Sequence, residues 1–132
     1  MMNILVVDDE PIVGRALQRA FSNAGHSVKI AASGDEALEI WPQQSFDLVL
    51  LDVFMPGFTG PQVLAKLKEQ KLLGREMVVL MTAHSTVKSR QEALQLGAHE
   101  FVQKPFDNIL KLVDDLTKLV KKHGGRLEKE KR

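Results

Sequence analysis

The chain has 132 residues, enough for one domain with a single core, and its 44% hydrophobic and 27% charged residues are ordinary for a globular protein. Lys+Arg 18 against Asp+Glu 17 leaves a net charge of +1, so no polyanionic partner is indicated and direct nucleic-acid binding is not expected. With no cysteine, disulfides and thiolate metal sites are excluded. No apolar run approaches the ~20 residues of a membrane span. Ile4-Leu5-Val6-Val7 follows Met1-Met2-Asn3 with no basic segment or cleavage pattern, so no signal peptide and no membrane contact are expected, and a cytoplasmic location is.

Ile4 to Val7 reads as a short buried strand that ends in Asp8 and Asp9. Glu10 and Pro11 open a helix, because proline suits the first turn and an acidic residue favours the N-terminal dipole. Its apolar positions run from Ile12 to Ala24, and Gly25 stops it. Val28 and Ile30 alternate with Ser27 and Lys29, which predicts a strand near a sheet edge. Ser33-Gly34-Asp35-Glu36 has capping-box spacing and starts a second helix, ended by Pro42.

Leu48-Val49-Leu50-Leu51-Asp52 has no polar break before its last residue, as expected of a parallel strand buried on both faces. Pro56 and Gly57 turn the chain after it, and Gly60-Pro61 starts a third helix. Met77 to Met81 forms another buried strand and delivers Thr82. Ser85 is expected to cap the helix that ends at Gly97. Phe101 and Val102 lie in a last short strand, closed by Lys104-Pro105. Asp107 is expected to cap the final helix, with a stripe through Ile109, Leu112, Val113, Leu116, Leu119 and Val120, and Gly124-Gly125 to stop it.

Five strands alternating with five helices predict an α/β fold: a doubly wound, five-stranded parallel sheet of order 2-1-3-4-5, flavodoxin-like (βα)5. Asp8, Asp9, Asp52, Thr82 and Lys104 each follow the C-terminal end of a strand and converge on one end of that sheet. Crowded carboxylates repel, and a hard cation with oxygen ligands, Mg²⁺, relieves them. Lys104, the Thr82 hydroxyl and backbone amides can hold a phosphoryl group, and Asp52 can accept it as an aspartyl phosphate.

Asp8-Asp9, the D-x-x-M-P-x-x-x-G pattern from Asp52 through Met55, Pro56 and Gly60, Thr82-Ala83 and Lys104-Pro105-Phe106 resemble the response-regulator receiver domain of two-component signalling. The resemblance covers residues 3 to about 122; the receiver domain is placed at 1–123 and a charged tail or linker at 124–132. It implies that Asp9 and Asp52 ligate Mg²⁺ directly, that Asp8 acts largely through water, and that the Phe54 backbone carbonyl completes the protein ligands. It further implies that Lys104 pairs with Asp52 and then with a phosphoryl oxygen, and that Phe101 turns inward as Thr82 moves. Phe54 and His84 stand at positions that tune hydrolysis, and the backbones of Phe54 and Ala83 at phosphate-binding positions. The phosphoryl donor would be a sensor histidine kinase or phosphotransfer protein, and the output a C-terminal domain or an activated homodimer.

The chain would then be a regulatory phosphoacceptor with at most self-phosphorylation and self-dephosphorylation chemistry. The alternative is a Mg²⁺-dependent phosphatase with Asp52 as nucleophile. Haloacid-dehalogenase-like phosphatases place a general acid two residues after the nucleophile, where this chain has Phe54. His26, His99 and His123 lack metal-ligand spacing and Trp41 reads as packing, while Leu110, off the main helix stripe, is a candidate partner contact.

Overall fold

A computed structural model describes residues 1–83 and 89–130, with side chains described as far as Gly124. The strands are β1 (Asn3–Val7), β2 (Ser27–Ala31), β3 (Leu48–Asp52), β4 (Met77–Ala83) and β5 (Glu100–Lys104). Between and after them run α1 (Pro11–Asn23), α2 (Gly34–Ile40), α3 (Gly60–Glu69), α4 (Arg90–Gln95) and α5 (Ile109–Glu130). All four ladders are parallel, and the strand order is β2-β1-β3-β4-β5, as the sequence predicts. The half-polar β2 lies at an edge, and every residue of β3 is buried.

Side-chain alternation divides the core between the two faces of the sheet. Leu5, Val7, Val49, Leu51, Val78 and Leu80 pack with Ala37 of α2, Val63, Leu64 and Leu67 of α3, and Ala93 of α4. Ile4, Val6, Leu48, Leu50, Val79 and Met81 pack with Leu17 and Phe21 of α1 and Val113 and Leu116 of α5. Burying both faces explains the unbroken aliphatic runs, and it fixes register, since a one-residue slip would exchange the two cores.

Several helix ends follow the sequence signals. Gly25 takes φ +92° after α1, and His26 donates its amide to the Phe21 carbonyl. Ser33 accepts the Glu36 amide, but the Glu36 carboxylate reaches the amide of Ala32 rather than that of Ser33, so the box is only half closed. Thr59 and Gln62 make a complete capping box on α3.

Three helix-end expectations need correction. The cap of α4 is Ser89, which accepts the Glu92 amide and has its own S-x-x-E spacing; Ser85 lies outside the described residues. The cap of α5 is Asn108, which accepts the Lys111 amide at 3.0 Å one residue beyond Asp107. Helix α5 does not stop at Gly124-Gly125 but runs through to Glu130. A helical glycine costs only about 1 kcal/mol, and Gly124 does not take the left-handed φ by which Gly25 and Gly97 end their helices.

Two histidines pin the opposite end of the sheet from the aspartates. His26 and His99 each immediately precede an edge strand and accept, through Nδ1, the amides of Met2 and Val78, both at 3.0 Å. Trp41 is buried in the core, as expected. Among the described residues, no helix is long and apolar enough to cross a membrane.

Gly60 begins α3 against the back of β3, donating its amide to the Val53 carbonyl at 2.9 Å. A Cβ there would be driven into the backbone carbonyl of Asp52 and would meet the Leu51 side chain at 3.1 Å. Gly60→Ala is therefore expected to lower unfolding free energy by about 1–3 kcal/mol in urea titrations. Gly124→Ala, where a Cβ meets nothing within 4 Å, is expected to be neutral or stabilising. Equal midpoints for the Gly60 variant and the native chain would contradict the close approach.

Candidate functional site

The site is built at the C-terminal edge of the three central strands and β5. Strand β1 ends at Val7 and hands on Asp8, whose amide donates to the Ala31 carbonyl while its Oδ1 accepts the Glu10 amide at 2.9 Å. Strand β3 ends on Asp52, opposite Met81 of β4. Strand β5 ends on Lys104, opposite Ala83, and the Lys104–Pro105 peptide is cis. Asp8 and Asp52 are buried, and Thr82 is wholly inaccessible.

One ammonium holds this edge together. Lys104 Nζ lies 2.9 Å from Asp8 Oδ2, 3.1 Å from Glu10 Oε1 and 3.3 Å from Asp52 Oδ1. Burial works against the charge of Lys104, but its hydrogen bond to Asp8 and the attraction of Asp52 and Asp8 outweigh that and raise its pKa above the ordinary lysine value. Asp52 moves in the less comfortable direction. Burial first, and the Asp8 charge next, push its pKa from 3.8 up to about 6 despite the opposing pull of Lys104.

Sequence reasoning expected Asp8, Asp9 and Asp52 to gather. Oxygens of Asp8, Glu10 and Asp52 lie within 4.8 Å of one another, which brings Glu10 into the group as well. Asp9 is exposed beside them, and its charge raises the pKa of Asp52 less than that of Asp8 does. Residue type and position make Glu10 a helix opener, but its place next to two aspartates at a strand end is a signal for more. Its carboxylate makes no capping bond to α1 and turns to Lys104 instead.

Thr82 donates its hydroxyl to the Ala83 carbonyl at 3.4 Å. Alternation puts Thr82 on the same face of β4 as Leu80, whose partner on β5 is Phe101. Phe101 is half-buried against the core on that face. Phe54 is 60% exposed beside Asp52, and Ala83 is exposed at the end of β4. His84 lies outside the described residues.

Comparison with known proteins agrees with this arrangement. The response regulator receiver domain profile matches residues 4–119. The uncharacterized transcriptional regulatory protein YkoG of Bacillus subtilis is 34% identical over 126 residues, which are 96% of this chain and 54% of YkoG. The transcriptional regulatory protein DltR of Streptococcus agalactiae is 36% identical over 106 residues, 80% of this chain and 46% of DltR. The chain thus spans about half the length of these curated relatives.

Among solved structures, NtrX of Brucella abortus in complex with ADP superposes with a TM-score of 0.84 at 27% identity, covering 98% of this chain and 29% of NtrX. The chemotaxis protein CheY4 of Vibrio cholerae superposes with a TM-score of 0.79 at 29% identity, covering 89% of this chain and 98% of CheY4. With the strand order, the buried aspartate and the shared lysine in place, the chain belongs to the response regulator receiver domain family, whose members are phosphorylation-dependent regulatory domains of two-component signalling.

Proposed function

We propose that this receiver is switched by phosphorylation of Asp52, with the phosphoryl group taken from a phosphohistidine on a sensor histidine kinase or phosphotransfer protein. The observation that carries the reading is Asp52 itself, a buried carboxylate at a strand end with an ammonium 3.3 Å away. In the transfer, a carboxylate oxygen of Asp52 attacks phosphorus, the P–N bond breaks, and the departing imidazole nitrogen takes a proton. Lys104 then moves its charge to a phosphoryl oxygen. The backbone amides of Phe54 and Ala83 would donate to the others.

The donor set suits a hard divalent cation. Two buried carboxylates with a third beside them exceed the charge of one lysine, and burial first, with the Asp8 charge next, raises the pKa of Asp52. Oxygen-only donors of this kind fit Mg²⁺. Asp8, Asp9 and Asp52 with the Phe54 carbonyl would hold it, and when bound it would neutralise charge on the transferring phosphoryl group.

Signal output follows from the shared face of β4 and β5. A phosphoryl group on Asp52 would draw the Thr82 hydroxyl from the Ala83 carbonyl, and the space released lies on the side where Phe101 packs. That is a two-state repacking biased by charge-assisted contacts. The matched residues are 46% of DltR and 54% of YkoG, both transcriptional regulatory proteins, which supports an output domain following α5. The domain would occupy 1–123, with 124–132 leading into that output or into a second copy.

A turnover phosphatase is disfavoured, because Phe54, two residues after the acceptor, has no proton to give a leaving group. In its place Phe54, with His84, would tune the lifetime of the acyl phosphate.

Acetyl phosphate with Mg²⁺ is expected to add one phosphoryl group to the native chain and none to Asp52→Asn, read by intact mass; equal uptake would remove the assignment. Without metal, folding disfavours the ionised Asp52, whose pKa is about 6 rather than 3.8. The raised pKa means that its stabilising contribution is full below about pH 4 and is lost as pH rises through about 6, by on the order of 2 kcal/mol. The stability of Asp52→Asn relative to the native chain should therefore rise between pH 4 and pH 7 in Mg²⁺-free denaturation. A difference independent of pH would contradict that sign.

A further inference from the structure

An ammonium group has three hydrogens to donate. Lys104 donates to Asp8 Oδ2 at 2.9 Å and to Glu10 Oε1 at 3.1 Å, and it forms an ion pair with Asp52 Oδ1 at 3.3 Å. A phosphoryl oxygen arriving on Asp52 therefore competes with these carboxylates for the ammonium. The three partners are not equally easy to displace. The Asp8 side chain is 0% exposed and also accepts the Glu10 amide, and the Asp52 side chain, 6% exposed, carries the incoming group. The Glu10 side chain is 63% exposed, so its carboxylate can return to water at small cost. It has no capping duty to hold it, since α1 is entered without a side-chain cap bond.

We propose that Glu10 is a latch on Lys104: it occupies the ammonium in the unphosphorylated protein and yields its place to a phosphoryl oxygen when Asp52 is phosphorylated. The proposal rests on the reading of Asp52 as acceptor. Glu10 is then a positioning residue that acts through Lys104. A contact made in the resting state and lost in the phosphorylated one holds the equilibrium back by its own strength. For a contact this exposed, that is a factor of about two to five.

A double-mutant cycle tests the latch by the initial rate of phosphorylation with acetyl phosphate, at saturating Mg²⁺ and in salt sufficient to screen long-range steering. Glu10→Gln is expected to raise the rate about threefold in the otherwise native chain and to leave it unchanged in a Lys104→Met chain. Thermal melts check that the lysine variant folds, and Lys104→Gln replaces it if it does not. A gain of equal size in both backgrounds would make Glu10 a source of general repulsion. A lower rate with a higher Mg²⁺ requirement would make it a metal ligand. Either result, or no change in the native chain, overturns the latch. Asp52→Asn run alongside separates the two levels: uptake by that variant removes the acceptor reading, whereas a blank Asp52→Asn with any of the other failures removes the latch alone.

Discussion

The sharing of one ammonium among three carboxylates organises the C-terminal edge of this sheet. Asp8, Glu10 and Asp52 reach Lys104 from the ends of β1 and β3 and from the entrance to α1, while Lys104 comes from the end of β5. The contacts therefore tie together segments about a hundred residues apart in the chain, with 96 between Asp8 and Lys104. The compensation is incomplete, because burial and Asp8 still raise the pKa of Asp52 to about 6. A site left in that condition is poised to take up further positive charge, and a group that brings new acceptor oxygens must redistribute the lysine.

The fold makes this crowding possible without collapsing the core. Helices cover both faces of the sheet, so the central strands are aliphatic throughout and polar residues are confined to the strand ends. Gly60 lets α3 begin directly behind Asp52, where any side chain would strike the aspartate backbone. On the same sheet, Thr82 and Phe101 share a face across β4 and β5. Leu80, on the face Thr82 shares, pairs across the ladder with Phe101, so the half-buried aromatic lies close along the sheet to the strand end.

Much of this was legible in the residues. The aliphatic runs at Ile4, Leu48 and Met77 and the alternation at Val28 carry the strand order, because they report which faces are buried. The end of each run then places Asp8, Asp52, Thr82 and Lys104. Local choices were harder to read. Ser85 and Ser89 are both acceptable caps by residue type, as are Asp107 and Asn108, and only tertiary packing decides between neighbours. Gly124-Gly125 carries a preference of about 1 kcal/mol per residue, too small to end a helix by itself. At Glu10 two roles coincide at one position: helix entrance accounts for its charge, while its side chain is spent on a lysine near the far end of the chain. Sequence spacing has no record of a contact spanning 94 residues.

The most direct test is to locate the acyl phosphate chemically. After treatment with acetyl phosphate and Mg²⁺, reduction with borohydride converts a phosphorylated aspartate into homoserine, and peptide mass analysis finds the converted position. The account predicts conversion at Asp52 and at no other carboxylate. Conversion at Asp8, Asp9 or Glu10, or a phosphoryl group that survives reduction on another side chain, would contradict it.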